Sequence, residues 1–265
     1  MTPALQSFEA SAPGKLMLLG EHAVLQGHRC LVAAIDKRLQ VTVTPRRDNL
    51  VAIESALGQL LVPLDKLEPR PPFSFILAAL ALAPPPRGCT IKVKADFDAD
   101  TGFGSSAAVT VATHVALARW RGEEPDVVLD RAIKSVRQVQ GAGSGADVAA
   151  AVIGGLLEYR AEPREVRKFS GDVPLVAVYS GAKDPTVRVV QQVREAHARQ
   201  PALFDGAFAM MDGSCELAKS AIAAGDLKAL GEVFNFNQGL MEAIGVSTAH
   251  LAAIVERLRQ DPGIY

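Results

Sequence analysis

The chain passes from a strand-rich first part to a helix-rich second part, and this change of period limits the fold more than any other feature. Residues 31–44 run through Ile35 and then alternate at Leu39, Val41 and Val43, the pattern of a half-buried strand. Residues 15–19 form an apolar run that stops at Gly20, Glu21 and His22. Residues 51–53 and 60–62 flank Gly58 and suggest a hairpin, and residues 90–95 alternate again. A helix is predicted over 73–83, stopped by Pro84, Pro85 and Pro86. A second runs from Ser105 or Ser106 to about Trp120, and a third over 126–139, where Val128, Leu129, Ala132, Val136 and Val139 share a face. Further on, residues 174–179 read as an apolar strand and 186–197 as a helix, with Pro185 in first-turn position. Three helices follow between 203 and 259, broken near Gly225 and Gly245. The polar stretch 161–170, with Pro163 inside it and Gly171 after it, marks a boundary. The expectation is an α+β protein with domains 1–165 and 166–265.

Several classes of function are excluded by composition. The longest purely apolar run, residues 75–83, is too short to span a bilayer, and residues 1–8 carry none of the charge that opens a signal segment. A net charge of −1 gives no basic footprint for nucleic acid or an anionic membrane. Cys30, Cys89 and Cys215 lie far apart without metal-ligand spacing, which points to a reducing cytoplasm.

Three segments carry chemistry. In Thr101-Gly102-Phe103-Gly104-Ser105-Ser106-Ala107-Ala108, glycines join a predicted strand to a predicted helix. Such a loop lets backbone approach a ligand, and the free N–H groups at a helix start attract phosphate. Ser105 and Ser106 add hydroxyls, one of which can ligate Mg²⁺. No lysine follows the second glycine, so this is not the G-x-x-x-x-G-K-[ST] loop, and the plain alternative is a turn with a serine N-cap. In residues 11–25, Lys15 opens an otherwise apolar strand and needs a partner or a route to water. In residues 141–152, Asp147 stands between glycines and an apolar segment. It is either a helix cap or a general base, and Lys15 is the cation available to it.

Taken together these segments resemble the GHMP kinase superfamily, the group of galactokinase, homoserine kinase, mevalonate kinase and phosphomevalonate kinase. Pro13-Gly14-Lys15 with Gly20-Glu21-His22 is similar to its first motif. Gly102-Phe103-Gly104-Ser105-Ser106-Ala107-Ala108 is similar to its phosphate loop, usually written with Leu where Phe103 stands. Ser144-Gly145-Ala146-Asp147 is similar to the segment with the catalytic acid. The resemblance implies a ribosomal-protein-S5-like first domain and a ferredoxin-like, helix-rich second one. It implies ATP and Mg²⁺ as co-reactants and phosphoryl transfer to a small-molecule hydroxyl. Gly102, Phe103, Gly104, Ser105, Ser106 and Ala107 would hold ATP, with Ser106 on the metal. Asp147 and Lys15 would be catalytic, and Glu21, His22, Thr186 and Lys183 would contact the acceptor.

Gly20-Glu21-His22-Ala23-Val24 is similar to mevalonate kinases, whereas residues 143–152 lean toward phosphomevalonate kinases. A mevalonate-like acceptor is therefore expected. The alternatives are a phosphorylated one, or a protein of this fold that binds ligand without turnover. Two departures qualify the resemblance. Where animal mevalonate kinases place a Mg²⁺-binding Glu, this chain reads Val136-Arg137-Gln138, leaving the ion to Ser106, phosphate and water. The family's third, glycine-rich motif has no counterpart before Tyr265. From this we expect an open strand edge in the second domain and a tendency to associate, as a homodimer for instance.

Overall fold

The computed structural model describes residues 6–181 and 186–264. The chain divides into two compact units. One is made of residues 1–16 and 34–154, the other of residues 17–33 and 155–265. Strands β1 (Phe8–Leu19) and β2 (Arg29–Pro45) contribute chain to both.

The first unit adds β3 (Leu50–Ser55), β4 (Gly58–Pro63) and β5 (Cys89–Ala95) to these. Its strands lie in the order β4-β3-β5-β2, with β1 also paired to β2. β2 and β5 run antiparallel with Val41 opposite Val93 and Val43 opposite Ile91. β3 runs parallel to β5 and sets Ile53 beside Ile91. The alternation read in the sequence thus puts Val41, Val43, Val51, Ile53 and Ile91 on one face, all fully buried. That face is covered by α1 (Ser74–Leu82), α2 (Ser105–Arg121) and α3 (Val127–Gln140), which supply Leu77, Leu80, Val111, Leu117 and Ile133 to the same core. In α1, five successive residues from Ile76 to Leu80 are buried, as expected of a helix that is apolar all round. α2 buries Ala107, Ala108, Ala112, Ala116 and Ala118, and such small side chains let neighbouring elements come close. α4 (Ala146–Ile153) closes the unit.

In the second unit the opening residues of β2 pair antiparallel with β6 (Leu156–Arg160), and β6 pairs with β7 (Glu165–Phe169). Four helices follow: α5 (Thr186–Arg199), α6 (Pro201–Ala224), α7 (Leu227–Ala243) and α8 (Ala249–Leu258). α7 is capped by Asp226, which accepts from the Ala229 N–H at 3.0 Å, and α8 by Thr248, which accepts from Leu251 at 3.2 Å. Arg29 anchors α6. It donates to Asp212 from its backbone N at 2.7 Å and from Nη2 at 2.6 Å, and to Glu216 from Nη1 at 2.6 Å. Lys219 reaches the buried Glu158 at 2.6 Å. Burial and hydrogen bonding to Arg29 act in opposite directions on Asp212, and the net effect holds its carboxyl below the ordinary range.

Two expectations meet a different local structure. Residues 174–179 form no strand; Val176 is 84% exposed and Val178 52% exposed. Residues 161–170, read as a boundary, instead contain the turn and second strand of the β6–β7 hairpin. Their polar composition is that of an exposed strand, with Glu165, Arg167 and Lys168 facing water. Pairing of this hairpin with β2 assigns it to the second unit, so the contact boundary falls at Gly154–Gly155 rather than after residue 165, and residues 17–33 join the later chain. Among the described residues no helix is long and apolar enough to cross a membrane.

Candidate active site

The first unit brings two of the three motifs onto the third. Lys15 sits within β1, and its backbone N–H donates to the carbonyl of Phe103 at 2.8 Å, tying the strand to the glycine loop. A Cβ on Gly14 would stand 2.8 Å from that same carbonyl, so only glycine permits the approach. A Cβ on Gly104 would lie 2.9 Å from both Cγ and Cε of Lys15. The lysine stem therefore lies across the bare face of Gly104, and its ammonium emerges 3.4 Å from the Asp147 carboxylate. The lysine side chain is 15% exposed and the aspartate 39%, which leaves the carboxylate accessible to a ligand.

Asp147 does not cap its helix. Gly145 occupies the N-cap position at φ +93°, and the Ser144 hydroxyl accepts the Ala146 N–H at 3.2 Å. Asp147 follows in the first turn of α4, where the helix dipole favours an anion. Its carboxylate is thus free of capping duty and faces Lys15.

Gly104 is the N-cap residue of α2, in the left-handed region at φ +74°, and no side chain caps that helix. The N–H groups of its first turn are left for an acceptor from outside, which is how helix starts hold phosphate. The two serines divide in role. The Ser105 hydroxyl donates to the Ala99 carbonyl at 3.1 Å and fastens the loop to itself. The Ser106 hydroxyl takes part in no hydrogen bond among the described residues. The Phe103 ring packs edge-on against Phe97 at 6.1 Å. Ala107 and Ala108 are buried beneath the loop.

The expected acceptor contacts belong to the second unit. His22 is the one non-glycine residue with positive φ among those described, at +64°. Its Nδ1 is buried without a hydrogen-bond partner, and burial lowers its pKa. A strained backbone beneath an unspent polar atom is characteristic of a binding position. Glu21 precedes it in the same turn. Thr186 begins α5 and is exposed. Lys183 lies outside the described residues.

One residue that supports the site carries no motif signal. Arg137, near the end of α3, donates from Nε to the Gly143 carbonyl at 2.9 Å and braces the loop ahead of Asp147. In the sequence it is merely a basic residue in a last helical turn.

This arrangement, an uncapped helix start behind a glycine loop with a lysine–aspartate pair against it, defines a phosphoryl-transfer class of site. The comparisons with known proteins agree. A family model described as the GHMP kinases N-terminal domain matches residues 74–155, and one described as the galactokinase galactose-binding signature matches residues 4–45. The mevalonate kinase of Methanothermobacter thermautotrophicus is 35% identical over 256 residues, covering 94% of this chain and 82% of its own. The crystal structure of the Methanococcus jannaschii mevalonate kinase superposes with a TM-score of 0.76 at 20% identity, covering 98% of this chain and 86% of that one. The Lactococcus lactis galactokinase complexed with galactose superposes at 0.80 with 17% identity, covering 97% and 81%. The chain belongs to the mevalonate kinase family of GHMP kinases.

Proposed function

We propose that this protein transfers the terminal phosphoryl group of ATP to the primary hydroxyl of mevalonate. The observation that carries the reading is the Lys15–Asp147 pair at 3.4 Å, with Lys15 lying on Gly104 at the start of α2. One lysine is shared between the residue that would orient the acceptor hydroxyl and the loop that would hold phosphate. Transfer of this kind depends on positioning and charge neutralisation more than on covalent chemistry. Asp147 orients or deprotonates the attacking hydroxyl, and Lys15 offsets charge on the group in transit. Gly102 to Ala107 supply backbone N–H groups for the phosphates.

The residues present suit a magnesium nucleotide. The described residues contain no group of three His, Cys, Asp or Glu that would cage a metal. The unspent Ser106 hydroxyl is a hard oxygen donor, which matches an ion that keeps most of its waters and takes its remaining ligands from phosphate. When bound, Mg²⁺ would neutralise phosphate charge. Glu21, His22 and Thr186 would contact the acceptor, and Lys183 is a candidate for its carboxylate. Cys30, Cys89 and Cys215 are buried and stand outside any disulfide, which fits a reducing compartment, and the cytoplasm is the location we infer.

Steady-state kinetics of the full chain with mevalonate, phosphomevalonate, homoserine and galactose test this reading. Mevalonate should give the highest kcat/KM. A clear preference for phosphomevalonate transfers the assignment to that kinase, and nucleotide binding without turnover of any acceptor assigns a binding protein instead.

A further inference from the structure

Helix α6 is apolar on two faces, and the chain covers only one of them. Phe204, Phe208, Met211, Cys215 and Ile222 are buried on the inner face. On the outer face Leu203 is 69% exposed, Met210 46% and Leu217 63%. These three recur every seven residues, so they form one row along the helix. Gly206 and Gly213 stand between them, and no charged residue interrupts the row. The charged groups beside it are already bonded within the chain: Asp205 to His197, Asp212 to Arg29, and Glu216 to both Arg29 and Lys219.

The two glycines are an independent observation. Glycine inside a helix is destabilising relative to alanine. Packing within the chain does not require either one. Neither has a positive φ, and a Cβ on either would meet nothing within 4 Å. A missing side chain on an outer face lets another backbone come close, since the separation of packed helices follows the side chains between them.

The pattern also selects the occupant. A two-fold contact needs a surface that is complementary to itself. About Met210 the row reads nearly the same in both directions, with Leu203 seven residues before it and Leu217 seven after, Gly206 four before and Gly213 three after. Two α6 helices laid antiparallel across Met210 set Leu203 of each against Leu217 of the other and bring the glycine positions together. Their dipoles then run in opposite directions, which favours the pairing. With 24 residues α6 is about 36 Å long. A contact about 10 Å wide along it hides about 700 Å² over both copies, against the ~1,200 Å² or more of a stable complex. That area suits a reversible dimer. We propose that the outer face of α6 is an interface on which two copies of this chain associate as an antiparallel pair centred on Met210.

The test uses the full chain. Sedimentation equilibrium up to about 500 µM should show a monomer that passes to a dimer at roughly tens of micromolar. Leu217→Arg alters an exposed side chain, and should weaken association by about thirty-fold with the melting temperature unchanged. Gly213→Gln supplies a better helix former but blocks close approach. It should raise the monomer's melting temperature and weaken the dimer by about ten-fold, opposite signs that a role in folding alone does not produce. Under mild oxidation Met210→Cys should form a disulfide-linked dimer, and Leu203→Cys should cross-link to Leu217→Cys in a mixture but not to itself. The native thiols are buried and do not compete. A chain that stays monomeric throughout overturns the proposal. So does a dimer that Leu217→Arg leaves intact, which places the contact elsewhere, at a strand edge for instance. Self-cross-linking of Leu203→Cys overturns the antiparallel arrangement.

Discussion

His114 should make the first unit lose stability in mild acid, by an amount that follows from its surroundings. It lies on α2, 2% exposed, with Nε2 2.9 Å from the Ser135 hydroxyl of α3 and Nδ1 buried without a partner. Burial is the main cause that pushes its pKa down to about 4; the positive charge of Arg131 adds to the shift and Glu123 opposes it. The folded state therefore keeps this imidazole neutral where an unfolded chain, with its ordinary value near 6.5, takes up a proton. Stability rises with pH wherever the unfolded state binds more protons. The neutral form's contribution is complete above about pH 6.5 and is lost as pH falls toward 4. At about 1.4 kcal/mol per unit, the loss is about 2 kcal/mol by pH 5 and about 3 kcal/mol by pH 4. That is a large share of the ~5–15 kcal/mol that holds a typical domain. Trp120 is the single tryptophan, lies on the same helix and stacks on Phe8 at 5.7 Å, so its fluorescence reports this unit. Denaturant unfolding should be followed at pH 7.5, 6 and 5 for wild type and for His114→Gln, which keeps a hydrogen-bonding side chain but does not titrate. His22 is also lowered by burial and acts in the same direction, and the comparison cancels it. Wild type should lose about 2 kcal/mol more than the variant between pH 7.5 and 5. Parallel profiles, or an imidazole titration near 6.5 at His114, would falsify this account of the α2–α3 contact.

Asp147→Asn should lower turnover by roughly 10²- to 10⁴-fold. Because Gly145 and Ser144 complete the helix start, its melting temperature should stay near wild type, and a large drop would return Asp147 to a structural role. Gly104→Ala forces a side chain into the left-handed region, at about 1–2 kcal/mol, and displaces the Lys15 stem. Turnover should fall further than thermal stability, and equal activity at the reduced stability would show that Lys15 need not lie there. Asp212→Asn breaks the charge-assisted bonds from Arg29 and should destabilise the protein by about 1.5–3 kcal/mol, with KM for ATP unchanged, as read by melting and kinetics.

Strands and helices with a clear period were legible in the sequence because their burial follows one face. Val41 and Val43 alternate, and so they are buried on β2; the breaks at Gly225 and Gly245 separate α6, α7 and α8. The β6–β7 hairpin was not legible, because Glu165, Arg167 and Lys168 give an exposed strand the composition of a linker. The opposite error occurred at 174–179. Apolar residues there suggested a buried strand, but a strand requires a neighbouring edge, and period carries no information about neighbours. A boundary read from composition is a single cut, whereas β2 pairs with β6 at one end and with β5 at the other, so its residues fall in different contact units.

The pairing of Lys15 with Asp147 was legible because each residue was costly in its own segment. A lysine in an apolar strand and an acid in the first turn of an otherwise uncharged helix both need a partner, and few partners were on offer. The division of labour between Ser105 and Ser106 was not legible, since two adjacent hydroxyls look alike until the Ala99 carbonyl claims one of them. Asn237 gives the opposite case. On α7 it stands three residues after Phe234 and three before Leu240, where period alone would predict an apolar side chain. Its Oδ1 is nevertheless buried without a hydrogen-bond partner, whereas the neighbouring Gln238 spends its amide on Glu242 and Ser247, a difference that period carries no trace of.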